Sequence, residues 1–194
     1  MNKKKILNYT SKLIYIIYLA SIAYFIFMNS MEHTLFVLAS LVATIVLVYL
    51  NKKFDELFND DIIITLVIFI LFAGLFGSSF RFYDTIKNYD DFLHMCSGLI
   101  SCSVAYILFN YFLNLEINTI KRRIFFVIFM FMFSMGVASL WELMEFFIDK
   151  FLGLHCQAGG LVDTMIDMFD CLIGSIIIIP YYVKKVTKSY EKNM

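Results

Sequence analysis

The sequence predicts an all-α integral membrane protein, a bundle of about six transmembrane helices with both termini in the cytoplasm. Three observations predict it. Hydrophobic residues make up 61% of the chain, with 22 Phe against one Pro, and mean hydropathy is +0.78; a soluble domain averages about 45–50% apolar residues. Six apolar segments recur at roughly 13–28, 34–50, 62–80, 92–112, 124–148 and 161–183, and the lipid core forces each to be a helix that satisfies its own backbone groups. Lys and Arg alternate from side to side of these segments, which sets orientation. No polar stretch is long enough to fold separately, so residues 1–194 read as one membrane domain.

The first segment follows Lys3, Lys4, Lys5 and Lys12. That charged and apolar start resembles a signal peptide, and Ser21-Ile22-Ala23 is a weak small-x-small match. The apolar run continues past it, so an uncleaved first helix is expected. Segments one and two are short against the roughly 17–25 residues of a spanning helix; their polar flanks can extend them. Lys52 and Lys53 follow the second segment. Asp55, Glu56, Asp60 and Asp61 then read as a solvated loop face, and His33 and His155 as loop residues. Gly74 and Gly77 interrupt the third segment. Lys121, Arg122 and Arg123 separate the fourth and fifth, and Lys184, Lys185, Lys188 and Lys192 follow the sixth. Thirteen of the sixteen basic residues thus fall on one side, leaving Arg81, Lys87 and Lys150 on the other. Topology accounts for the basic tail, so nucleic acid is not an expected partner; the lipid bilayer is.

Acidic residues show the opposite bias. Ten of the sixteen, and all three His, lie on the extracytoplasmic side. Segment four opens with Asp91, His94 and Gly98 on one helix face. Segment five ends with Glu142 and Glu145, again one turn apart, beside Trp141. Segment six opens with Asp163, Asp167, Asp170 and Gly174, a stripe about 60° wide in which Asp170 lies about 10 Å below Asp163. A carboxylate at bilayer depth costs on the order of 2.5–3.5 kcal/mol. The simplest compensation is for the three stripes to face one another. Asp91, Glu145 and Asp163 also fit wet helix ends, and Asp near a helix N-terminus is favoured by the dipole. His94 also fits a hydrogen-bonder between helices.

The pooled donors are rich in oxygen with one imidazole, which suits Mg, Mn, Ca or Fe rather than structural zinc. Asp91, Glu142, Glu145, Asp163 and Asp167 are the expected metal ligands; His94, Glu142 and Asp167 are the candidate catalytic residues, and Asp170 belongs to the same polar stripe. Cys96, Cys102, Cys156 and Cys171 give no CxxC or zinc spacing; the three in helices read as small packing residues. No HExxH, GxSxG or P-loop occurs, which removes the usual zinc peptidase, serine hydrolase and NTPase readings.

The same three segments resemble the YjdF-type bacterial inner-membrane proteins, a family of unknown function. The resemblance rests on Asp91-x-x-His94-x-x-x-Gly98, on Trp141-Glu142-x-x-Glu145, and on Asp163-Thr164-x-x-Asp167-Met168 followed by Gly174. It covers roughly residues 84–179 and implies a bacterial cytoplasmic-membrane location and a single polar site. VanZ-like membrane proteins are similar more loosely, through the spacing of Asp90 and His94; Glu145 stands where that family has Gln, and glycopeptide resistance is not carried over.

Three functions fit. The chain is a metal-dependent enzyme acting on a lipid or lipid-linked headgroup, a transporter using the carboxylates as a proton relay, or a structural protein whose polar residues lock helices together. In each, the site lies among segments four to six, and segments one to three act mainly as scaffold.

Overall fold

The computed structural model describes residues 3–54, 58–113, 117–153, 156–157 and 159–192. Every regular element among these is helical. Asp55, Glu56 and His155 lie outside the described residues. Five helices are long and apolar enough to cross a membrane: Lys3–Phe27, Met31–Lys53, Asp60–Ser79, Tyr89–Leu113 and Ile120–Phe151. The residues divide into two compact units, Met1–Tyr89 and Asp90–Met194.

The first unit contains α1 (Lys3–Phe27), α2 (Met31–Lys53), α3 (Asp60–Ile70) and the short α4 (Phe82–Thr85). The polar flanks do extend the first two segments, to 25 and 23 residues, or about 37 and 34 Å at 1.5 Å per residue. Both exceed the roughly 30 Å hydrocarbon core. The buried seam of α1 is Leu7, Ser11, Ile14, Tyr18, Ser21 and Phe25, a spacing of three and four that keeps one helix face inward. His33, expected in a loop, is corrected to the first turn of α2; its ring pairs with Ser30 and stacks on Phe25, contacts that a helical turn brings together. Asp60 and Asp61 likewise belong to the first turn of α3. There Asn59 caps the helix by accepting from Ile62 N at 3.0 Å, and acidic residues favour the N-terminal dipole.

From Leu71 to Ser79 the third span widens into a π-helix. The two Gly residues that interrupt the pattern lie in this stretch. A Cβ on Gly74 would stand 1.9 Å from Ser40 Oγ, and one on Gly77 would stand 2.4 Å from the Tyr83 ring. The widened turns thus allow neighbouring side chains to reach the backbone.

The second unit contains α5 (Tyr89–Leu113), α6 (Ile120–Leu152) and α7 (Leu161–Lys192). Thr119 caps α6, and Gly153, with φ of 69°, ends it by donating to Asp149 O; this left-handed turn favours Gly, which has no Cβ to clash. α7 stands apart from the five apolar helices, with Asp163, Asp167 and Asp170 in its N-terminal half. It continues through Pro180 as one helix. At one end of the unit, Cys102, Ala105, Phe109, Ile117, Phe126, Met130 and Ile179 form an apolar core.

Above that core α5 and α7 run parallel and nearly touch. A Cβ on Gly98 would lie 2.1 Å from the Cys171 carbonyl oxygen, and one on Gly174 would lie 2.1 Å from that of Met95. The close approach expected of Gly98 is therefore made against backbone. α6 runs antiparallel to both: Cys102 faces Met130, and Ser134 faces Gly98, Cys171 and Ser175. Cys102 and Cys171 are buried packing residues, and all four Cys are free thiols.

Candidate functional site

One turn beyond the glycine contact, the three helices place their ionisable residues together. The α5–α7 approach sets the register: Gly98 lies against Cys171, so His94 falls opposite Asp167. His94 Nε2 is 3.8 Å from Asp167 Oδ1 and 3.3 Å from Asp90 Oδ1. His94 is 8% exposed and Asp167 2%. In the antiparallel register of α6, with Ser134 against Gly98 and Cys171, Glu142 lies one turn beyond this level, within electrostatic range of both His94 and Asp167.

The donor atoms form two overlapping groups. Asp90, His94 and Asp167 each offer one atom within 4.8 Å of the others, and so do Asp91, Asp167 and Asp170. A cation bonding oxygen at about 2.0–2.6 Å accommodates donors up to about 5 Å apart across its diameter. Both groups therefore have the dimensions of a cation site. The ion pairs of the described residues give none of these carboxylates a Lys or Arg partner.

Among the described residues, Glu142 is the carboxylate with both oxygens buried and unpartnered. It is 5% exposed, and neither carboxylate oxygen has a hydrogen-bond partner. Asp170 also has one buried oxygen without a partner. A buried, unpaired carboxylate is costly by several kcal/mol unless something neutralises it.

The other expected ligands lie at the rim, with local bonds. Glu145 is half-buried and accepts from Trp141 Nε1 at 2.7 Å. Asp163 accepts from Gly159 N at 3.3 Å, and neither it nor Glu145 belongs to the two donor groups. The structure thus brings Asp90, Asp91, His94, Asp167 and Asp170 into the two donor groups and leaves Glu142, Glu145 and Asp163 outside them.

Sequence spacing pointed to Asp91 as the partner of His94. The structure gives His94 to Asp90, four residues earlier, and turns Asp91 toward Asp167 and Asp170. The signal for Asp90 was present, because residues four apart also share a helix face. The loop from α6 to α7 was missed altogether. Asp149 accepts from Cys156 N at 2.6 Å and from Gln157 N at 2.9 Å, and Gln157 Nε2 donates to Thr164 Oγ1 at 2.8 Å and Glu142 O at 3.4 Å. This loop ties the ends of α6 and α7 beside the site. The buried Ser134–Ser175 hydrogen bond of 2.7 Å lies beneath it.

A family described as "Predicted membrane protein (DUF2238)" matches residues 10–187. No curated protein and no solved structure matches the chain.

Proposed function

The chain belongs to this DUF2238 family of predicted membrane proteins, and on that premise we propose that it is a cation-dependent membrane enzyme acting on a lipid or lipid-linked headgroup. In this reading it is a multi-pass protein of the bacterial cytoplasmic membrane, of the YjdF type. α7 crosses as the sixth span, both termini are cytoplasmic, and the site faces the outer leaflet. The observation that carries the proposal is Glu142, whose buried oxygens lack any partner beside His94 and Asp167. A divalent cation supplies the missing charge, and the oxygen-rich donor set suits Mg, Mn, Ca or Fe.

Asp91, Glu142 and Asp167 hold the cation, with Glu145 and Asp163 at the rim. His94 is the acid or base, oriented by Asp90 at 3.3 Å, since a His with a fixed partner on one side presents a defined face to a substrate. When bound there, a cation would supply Lewis-acid polarisation of a headgroup. A transport path receives less support, because Phe109, Phe126, Met130 and Ile179 pack the unit on the other side of the site. Helix locking receives less too, because interhelical hydrogen bonds average only about 0.6 kcal/mol.

The test is the metal content of the detergent-purified protein, beside Glu142→Gln and Asp167→Asn. Stoichiometric divalent metal in the wild type, lost in both variants, is the expected result. A well-folded wild type that stays metal-free after incubation with Mg²⁺, Mn²⁺, Ca²⁺ and Fe²⁺ overturns the proposal.

A further inference from the structure

Asp167 is the one residue common to both donor groups. It is also the more buried carboxylate of its helix, at 2% exposure. Each ionised carboxylate has two oxygens and can bind on both. One group adds His94 and Asp90; the other adds Asp91 and Asp170. The two sets share no other member and do not merge into one group within 4.8 Å, so they mark two overlapping positions that meet at Asp167.

We infer that the site is a two-cation centre, with Asp167 as the bridging ligand between an imidazole-bearing position and an all-oxygen position. This rests on the cation-binding reading above and deepens it, with His94 and Asp90 as ligands of the first cation in place of acid or base and orienting partner. Two features beyond the acidic cluster point to it. Glu142 is nine-tenths buried with both oxygens unpartnered, and it acts on His94 and Asp167 together. Asp170 holds a second buried oxygen without a partner, in the donor group that His94 does not join. A single cation beside His94 would leave the Asp91–Asp170 side uncompensated.

The two positions differ in chemistry. Imidazole with carboxylates suits Mn²⁺ or Fe²⁺, and a wholly carboxylate set suits Mg²⁺, Mn²⁺ or Ca²⁺. Mn²⁺ satisfies both, and cations in two-metal sites lie about 3.5–4 Å apart, close enough for their spins to couple.

The experiment is Mn²⁺ loading of the full chain in detergent, with metal analysis and electron paramagnetic resonance on the same samples. Two Mn²⁺ per chain with an exchange-coupled spectrum is expected. Asp90→Asn and Asp170→Asn should each reduce this to one uncoupled Mn²⁺ with a six-line spectrum, and Asp167→Asn should remove the coupling entirely. A single uncoupled Mn²⁺ in the wild type overturns the two-cation centre and leaves the cation-dependent enzyme standing. Two uncoupled Mn²⁺ overturn the bridge. No Mn²⁺ in a folded wild type, as judged by circular dichroism and gel filtration, overturns both. The wild-type result decides between these outcomes even if a variant fails to fold.

Discussion

Residues Met1–Tyr89 hide their polar groups as hydroxyls and one amide, whereas Asp90–Met194 hide a histidine and two carboxylates. In the first unit most buried hydroxyls are satisfied within their own helix. Ser21, Thr34, Ser40 and Thr44 each donate to the carbonyl four residues back, at 2.7–2.9 Å. Such groups fit a helix seam at little cost, because no charge is desolvated. The ion pairs Lys3–Asp61 and Arg81–Asp84 of the first unit are exposed. In the second unit the hydroxyls of Ser134 and Ser175 bond across helices, and the layer beside them is ionisable. Both units pack helices through small residues, but only the second uses that closeness to concentrate charge. The difference teaches that buried polarity alone does not mark a site. Buried ionisable groups without protein partners do.

The largest expected effect tests the packing that assembles the charges. Gly98→Ala places a methyl 2.1 Å from a backbone oxygen, which cannot swing aside. A loss of about 3 kcal/mol or more is expected, read as a fall in the thermal midpoint with loss of cation binding. Gly74→Ala in the first unit meets the end of the Ser40 side chain instead, so about 1 kcal/mol is expected. Gly136→Ala, with nothing within 4 Å, should gain up to about 1 kcal/mol of helix propensity. Equal losses at positions 98 and 74 would erase the distinction between the units.

Cation removal comes next. A ligand held at a hundred times its Kd stabilises by about 2.7 kcal/mol. A chelator should therefore lower the wild-type midpoint and leave Asp167→Asn unmoved; equal shifts would place the stabilising cation elsewhere.

Alkaline pH probes the loop that ties α6 to α7. Burial first, then the charges of Asp149 and Glu145, push the Cys156 thiol up to about 12 from an ordinary 9.0. The folded state keeps a proton that the unfolded chain releases. Stability from this group is full below 9.0 and is lost as pH rises toward about 12. Denaturation midpoints of wild type and Cys156→Ser should converge over that window; parallel curves would show that the thiol is not held as described.

The smallest effect belongs to the neutral seam. Thr44 Oγ1 lies 3.5 Å from Tyr18 Oη and 2.8 Å from Ser40 O. Thr44→Val should cost on the order of 0.6 kcal/mol and leave cation loading intact. A loss of loading would mean that the neutral unit governs the charged one.

The sequence by itself determined the membrane class, the helices and the residues worth watching. Apolar runs of spanning length admit only helices in lipid, and that logic placed both ends of α2, α5 and α6 to within about four residues, whereas polar flanks extend α1 ten residues earlier and α7 nine residues later than their apolar segments. Helical spacing alone also put Asp91 near His94, Glu142 near Glu145, and Asp163, Asp167 and Asp170 on one stripe. Spacing orders residues along a single helix and carries nothing about which helix stands opposite. Only the tertiary structure decided that Asp90 rather than Asp91 turns to His94, and that Asp167 rather than Asp163 sits at the centre. The same holds for Glu142, buried without a partner, and Glu145, bonded to Trp141. The physical reason is the α5–α7 register, set where Gly98 and Gly174 let two backbones approach, because that contact fixes which charges meet.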